Sequence, residues 1–534
     1  MQQIYLKRMT KQDITRSVTI CTESVKTFWG VDPNMTNDYV AINVCHEDNP
    51  HYFPSGITIH KGYQGEKDWR ICGNEWKKLY ADDEPEEGDI MKVNRLGDNR
   101  FSVTIIKKNA NEFKVLSSYF KGKDNYVIIA AEDSNIKETN NFYAHIDQVR
   151  DIHYHTYITA IRTKPFLLLA GISGTGKSRI VRELAFMTCP KGLQDEDETT
   201  PGNYCMIEVK PNWHDSTELL GYYSSFNGGG YRFKKFDRFV VKAWLNPDVP
   251  FFVCLDEMNL APVEQYFAEF LSVLETRSRD KEGNVVTGAL VDKQYFKDDT
   301  KMKEDLGLDG ADDWTIKVRS DLVNKGLTLP PNLIVIGTVN MDDTTYQFSR
   351  KVIDRAMTIE MNGGKLSQMF GNSNSLKYRS DEDVVKLGMF KAPYINADEV
   401  IERYQSQAQI IKKKLPEKLE AVNTALKDTP FQVSYRVLNE LVIYLGALMD
   451  EATAKGEAID DDALSALIDR AMDQITLMKI LPRIEGDEDM FRRSGGTNVL
   501  KTLQSLFSED TDSYRKLDEM TDRLNRTGFT RFWP

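Results

Sequence analysis

The sequence predicts an α/β fold: a mostly parallel sheet with helices on both faces, preceded by a β-rich domain and followed by a helical region. Three observations predict it. The first is the stretch Gly171-Ile172-Ser173-Gly174-Thr175-Gly176-Lys177-Ser178, which directly follows the apolar run 166–170. The second is the alternation of apolar strand candidates at 166–170, 205–209, 251–255 and 333–338 with helical stretches such as 179–187 and 263–275. Strands alternating with helices around a phosphate-type loop imply parallel crossovers. The third is the change of texture on either side, from short alternating runs before residue 132 to helical spacing after 366.

In chain order, residues 1–132 carry runs at 39–44, 89–93, 101–106 and 126–130, separated by turn clusters such as Gly97-Asp98-Asn99. A helix is expected at 73–80, with Trp76, Leu79 and Tyr80 on one face. The polar stretch 133–142 reads as a linker, and 143–365 as the α/β domain. Inside it, 280–330 is polar and charged and reads as an insertion or long surface loop. Residues 366–490 form a helical region and 491–534 a helical extension. There Val400, Ile401, Tyr404, Ala408, Ile411 and Leu415, and again Val437, Leu438, Leu441, Tyr444, Leu445 and Leu448, fall at helical spacing and read as core stripes.

Composition narrows the function classes. At 534 residues, with 41% hydrophobic and 28% charged residues, the chain is ordinary globular material of about three domains. No apolar run approaches the roughly 18 residues of a spanning helix, and none resembles a signal peptide, so no membrane role is expected. The six cysteines include no C-x-x-C pair, which argues against a zinc ribbon or disulfide framework and for the cytoplasm. A net charge of −12 excludes polyanion binding by bulk charge, so a nucleic-acid contact requires a local basic surface.

The chemistry is carried by strand ends. Gly171, Ser173, Gly174, Thr175, Gly176, Lys177 and Ser178 form the P-loop pattern between a strand and a helix. Its backbone N–H groups and the helix N-terminus would cradle phosphates. Lys177 would reach the β/γ-phosphates and Ser178 would ligate Mg²⁺. The run 251–255 ends in Asp256 and Glu257, a Walker B arrangement. Asp256 would hold Mg²⁺, and Glu257 would orient and deprotonate the attacking water. Asn340, at the end of another apolar run, fits a water-positioning role. An arginine at 350 or 355 cannot easily reach its own nucleotide, but in a ring it would reach a neighbour's γ-phosphate; Arg355 is the first choice and Arg350 the second. Arg436, at the start of a C-terminal helix, is placed to touch phosphate from the helical region. Glu208-Val209-Lys210 imitates a nuclease core but reads as structural, and His153 and His155 lack a second pair of metal ligands.

Together these segments resemble the AAA+ ATPases, and within them the dynein-related and MoxR-like branch. The stretch Leu255-Asp256-Glu257-Met258-Asn259-Leu260-Ala261-Pro262 carries much of the resemblance, with Val209-Lys210-Pro211-Asn212-Trp213 and Leu219-Leu220-Gly221-Tyr222. Residues 150–534 are more narrowly similar to McrB-like motors of modification-dependent restriction systems. Asn340 and Asp343 match that family's motif, whereas Thr344 stands where it has arginine. Lys479-Ile480-Leu481-Pro482-Arg483 is similar to its helical lid, and Gly528-Phe529-Thr530-Arg531-Phe532 to its C-terminus. The family is known for using GTP; with part of its signature missing, ATP and GTP both stay open. The N-terminal domain resembles the pseudobarrel DNA-binding domain of plant transcription factors and some restriction enzymes. The resemblance makes Lys61, Lys67, Arg70, Lys77, Lys78, Arg95 and Arg100 candidate DNA contacts, with Tyr63, Trp69 or Trp76 available for stacking or base capture.

The resemblance implies an Mg²⁺-dependent NTPase in a homo-oligomeric ring, a hexamer, with sites between subunits. It implies double-stranded DNA, modified or not, as the polymer recognised. A McrC-like nuclease would be the partner, and defence against foreign DNA the role. The rival is a MoxR-like chaperone that remodels protein complexes with the same core residues.

Overall fold

A computed structural model describes residues 3–15, 18–20, 28–31, 39–46, 57–61, 69–72, 74–78, 83–97, 100–108, 116–117, 120, 125–130, 154–195, 200–226, 230–297, 300–341, 346, 348–361, 377–379, 384–385, 387–455, 457–493 and 498–533. The chain divides into two compact units: Met1–Phe142 with Asp312–Trp314, and Tyr143–Ala311 with Thr315–Pro534. The expected linker 133–142 lies outside the described residues.

The N-terminal unit is β-rich, as its alternating runs imply. One sheet has the strand order Asn43–His46, Arg100–Ile106, Ile90–Gly97, Gln3–Arg8, Tyr126–Ala130; the other has Val18–Ile20, Trp69–Cys72, Thr58–Lys61, Tyr39–Ala41. The run 39–44, expected as one strand, is two. Val40 pairs with Ile59 in one sheet, and Asn43 pairs with Arg100 in the other. The chain changes sheets at Ile42, whose N–H donates to the Ile57 carbonyl at 3.1 Å. Strands that switch sheets at a corner are a usual way to close such a core. Inward-facing residues from both sheets, among them Tyr5, Ile59, Ile71, Val93 and Phe101, form one cluster with Phe28 and Trp29. The expected helix is shorter, Asn74–Lys78, and presents Trp76 to that cluster.

The second unit is built on five parallel strands, in the spatial order Tyr204–Glu208, Phe251–Asp256, Leu333–Asn340, Phe166–Gly171, Met357–Glu360. Near-continuous apolar runs fit a sheet covered on both faces, and all six residues of Phe166–Gly171 are buried. Met357–Glu360 is absent from the sequence-based strand candidates. It has only four residues and follows the short helix Arg350–Ile353 with little turn chemistry between. The expected helix at 263–275 is broken at Phe267, which leaves helical geometry (φ −111°) between Val263–Tyr266 and Ala268–Leu274.

Of the two expectations for 280–330, an insertion or a long surface loop, the loop is corrected. This segment contains the helices Thr300–Leu306 and Asp313–Lys325 and the pairing of Ala289–Val291 with Leu327–Thr328. It buries Leu290, Val291, Phe296, Met302, Leu306, Leu308, Val318, Leu322 and Leu327. The apolar residues are spaced one per turn among charges, so average polarity concealed an amphipathic pattern.

The C-terminal region is helical: Ala397–Arg403, Ala408–Ala425, Tyr435–Ala454 and Asp461–Ile475. Tyr435–Ala454 is buried along most of its length and forms the axis of this layer. Its Asp450 is 1% exposed and accepts hydrogen bonds from Tyr394 and Tyr404 at 2.7 Å each, with Arg403 at 3.0 Å and Arg162 at 3.3 Å. A buried carboxylate persists only when satisfied in this way. The strand Phe529–Arg531 folds back against Glu485–Asp487. Among the described residues no helix is long and apolar enough to cross a membrane.

Candidate active site

Parallel register gathers the strand ends. Gly171 lies opposite Asn340, and Leu255 opposite Gly337, which brings Asp256 beside Thr338. The loop, Asp256, Glu257 and Asn340 therefore share the carboxyl edge of the sheet, where open α/β sheets bind ligands.

Within the loop, Gly176 sits at φ 85° directly before the helix Lys177–Thr188, a left-handed geometry that glycine adopts without a Cβ penalty. A Cβ at Gly171 would collide with the carbonyl oxygen of Met361. The Lys177 ammonium donates to the carbonyls of Ile172 at 2.7 Å and Gly171 at 3.0 Å, which folds the side chain over the loop. Ser173 and Gly174 are exposed, and the Thr175 hydroxyl donates to the Ile172 carbonyl at 3.0 Å.

The Ser178 hydroxyl donates to Asp256 Oδ1 at 2.5 Å. A hydroxyl and a carboxylate oxygen converging in this way form the all-oxygen donor set a hard cation requires, so these residues fit Mg²⁺. Ser178 and Asp256 would hold the ion, which would supply positive charge against the phosphate. Behind Asp256, burial first and then the carboxylate charge push the Cys254 thiol up to about 12, so it stays neutral.

Thr338, which motif reading passes over, links the two acidic residues. Its hydroxyl donates to Asp256 Oδ1 at 2.8 Å and accepts from the Glu257 N–H at 2.9 Å. Glu257 is a non-glycine residue at φ 52°, a conformation costing about 1–3 kcal/mol that clusters at functional sites. It turns the carboxylate towards Asn340, whose side-chain amide donates to Glu257 Oε1 at 2.9 Å. The Asn259 amide fixes the Asn340 carbonyl at 2.8 Å. The Glu257 carboxylate and the Asn340 amide, both singled out by their places at strand ends, are thus in direct contact. Asp343 lies outside the described residues. Thr338→Val keeps the β-branched shape and removes the shared hydroxyl. Turnover should fall about 10–100-fold, as when a group that holds a metal ligand in place is lost, with a stability loss of about 1–3 kcal/mol from the polar groups left unpaired; steady-state kinetics and a melting curve check both.

The arginines lie elsewhere. Arg355 precedes Met357, which pairs with Leu167, so it sits at the edge where the strands begin. Six strand residues at about 3.3 Å each put it roughly 17–20 Å from the loop of its own chain, beyond an arginine's reach. There Glu275 gathers three cations: Arg436 at 2.8 Å, Lys164 at 3.2 Å and Arg355 at 3.8 Å. The structure therefore places Arg436 beside Arg355, across the sheet from its own P-loop, rather than over that loop. Arg350 is engaged differently. It donates to the Pro430 carbonyl at 2.9 Å and lies over the Phe431 ring.

Among the described residues, the N-terminal candidates do not gather on one face. Arg70 lies opposite His60, while Lys61 lies opposite Trp69 and so on the other face of the sheet; Arg95 and Arg100 belong to the second sheet. Lys78 pairs with Glu75 at 2.7 Å. Trp69 and Trp76 are each 1% exposed in the core, so neither is available to stack on a base. Lys67, Tyr63 and the Lys77 side chain lie outside the described residues. Among the described residues no cluster of His, Cys, Asp and Glu could hold a metal, and His155 pairs with Glu451 at 3.1 Å.

Residues 166–357 match the AAA domain of the dynein-related subfamily, and residues 390–529 match a domain of unknown function, DUF8727. The chain thus carries an AAA+ domain, a nucleoside-triphosphate-hydrolysing module. No curated protein matches the chain. Among solved structures it is similar to a candidate ATPase of Cytophaga hutchinsonii, at 15% identity and TM-score 0.36, covering 63% of this chain and 87% of that one. It is also similar to the N-terminal domain of Helicobacter pylori LlaJI.R1, at 10% identity and TM-score 0.21, covering 24% and 98%. With identities and TM-scores this low, the assignment rests on the matched domain.

Proposed function

We propose that this chain is a McrB-like motor that hydrolyses ATP or GTP with Mg²⁺ at sites shared between protomers of a ring. The observation that carries the reading is the position of Arg355 and Arg436. The loop, Asp256, Glu257 and Asn340 form one half of a hydrolytic site at one sheet edge. The other half, the cations that would neutralise the transferring phosphoryl, lies at the opposite edge. A protomer cannot fold the two together, whereas a neighbour's edge can meet its loop. The charge balance supports this. Among the described residues, Lys164, Arg355, Arg436 and Lys479 form one network of ion pairs with Glu275 and Glu440. An incoming anion would complete the balance.

The finer reading is that the motor recognises and translocates DNA, modified or plain, for a McrC-like nuclease. It draws its support from the resemblance of residues 150–534 and of the N-terminal domain. The test is binding of the full-length chain, with nucleotide present, to methylated and unmethylated duplexes over a salt series. The expected result is affinity that falls linearly with log salt concentration. Absence of binding to either duplex at low salt would favour the protein-remodelling alternative.

A further inference from the structure

Lys479 is 1% exposed and stands on a π-turn, Thr476–Ile480, that ends the helix Asp461–Ile475. Such turns often redirect a side chain at a functional place. Here the ammonium donates to the carbonyls of Asp354 and Ala356, both at 2.8 Å, and lies 3.5 Å from that of Ile353. These carbonyls flank Arg355 on both sides. Ile353 and Asp354 stand at the end of the one-turn helix Arg350–Ile353, whose last carbonyls lack i+4 partners within the helix, and Ala356 leads into the strand Met357–Glu360. Lys479 is also 2.8 Å from Glu440 Oε2. Glu440 stands one helical turn after Arg436 on the same helix and pairs with Lys164 at 2.8 Å. Lys164 leads back to Glu275, which holds Arg436 and Arg355. A closed circuit of charges thus binds both arginines to one buried lysine. Arg483, on the turn that follows, adds a contact to Asp354 at 3.2 Å.

We infer that Lys479 is a positioning residue for nucleotide turnover: it fixes the backbone around Arg355 and, through Glu440, the helix that carries Arg436, so that both guanidiniums are presented to the neighbouring protomer as one unit. The inference rests on the reading of a site shared between protomers. A buried ammonium is a costly way to fill a seam that an apolar side chain could fill, and its contacts go to the segment that bears Arg355. Burial pulls Lys479 down to about 8, while the Glu440 carboxylate opposes the shift. Burial also works against the Glu440 carboxylate, but Lys164 and Lys479 outweigh it and hold the group below its usual range.

The test uses Lys479→Met in the full chain, a side chain of similar length without charge. Expected are an unchanged KM, nucleotide-dependent assembly like that of the parent, and a kcat at least about 10-fold lower, as when a transition-state group is held about an ångström out of place. Mixing these subunits with Glu257→Gln subunits should restore turnover to the level that Arg355→Ala subunits reach in the same mixture. In either case the intact Glu257 of one subunit meets the intact arginines of the other. A parental kcat for Lys479→Met overturns the inference. So does a mixture that stays inactive while the Arg355→Ala mixture recovers, because that assigns Lys479 to folding alone. If neither mixture recovers, the shared-site reading fails and takes the inference with it. Should the methionine variant not fold, Glu440→Gln breaks the same link with its shape kept, and the same three outcomes decide.

Discussion

Arg355→Ala is expected to lower turnover by about 10³–10⁵-fold, the range of a phosphoryl-transfer arginine supplied in trans. That loss corresponds to about 4–7 kcal/mol of transition-state stabilisation. The expectation follows from where the side chain is. It lies at the strand-entry edge, and its nearest carboxylate, Glu275, is 3.8 Å away, an ion pair too long for a hydrogen bond. With 23% of the side chain exposed, the pair contributes at most about 1 kcal/mol to folding. The variant should therefore melt like the parent and bind nucleotide with similar affinity, while single-turnover hydrolysis slows. Comparing the melting temperature, nucleotide titration and hydrolysis rate of one preparation separates these effects.

Glu257→Gln is expected to retain nucleotide and hydrolyse it about 10²–10⁴-fold more slowly, the usual contribution of a positioned general base. Glutamine preserves the length of the side chain, and its amide oxygen can still accept from Asn340, which lies 2.9 Å from Glu257 Oε1. The turn at φ 52° is held by the backbone N–H on Thr338 and by the carbonyl on the Leu260 N–H at 3.0 Å. Neither contact involves the carboxylate, so the local geometry should survive. What disappears is the capacity to take a proton from water. The variant should accumulate in its nucleotide-bound, assembled form, read by size measurement with nucleotide present. Rapid turnover by this variant would move the general base to another residue.

The parts of the site that could be read from sequence are those in which chemistry and secondary structure are local. Gly171 to Ser178, Asp256, Glu257 and Asn340 each end an apolar strand, and a strand end places a side chain with little help from the rest of the chain. Thr338 was not legible in this way, because a threonine inside a strand reads as an ordinary β-former; only the register against Asp256 gives its hydroxyl a task. The network of Lys164, Glu275, Glu440 and Lys479 was hidden for a different reason. Its members come from the start of a strand, the end of a helix, the middle of another helix and a π-turn, and no spacing rule connects them. Arg436 was expected to touch phosphate from the helical region; on which side of the sheet it does so was not legible, because the direction from which its helix packs is a tertiary fact. Trp76 and Trp69 were base-stacking candidates through the resemblance of the N-terminal domain, and packing of its two sheets puts both in the core. The segment 280–330 was misread because charge density masks an apolar residue that recurs once per turn.

On the proposed reading, one protomer cannot complete its own hydrolytic site. The most direct test is the turnover per protomer of the unmodified chain, measured at saturating nucleotide across dilutions that span full assembly to full dissociation, with size followed in parallel. The expected result is a rate that tracks the assembled fraction and approaches zero for isolated protomers. A rate per protomer that stays constant after the ring has come apart would contradict the account.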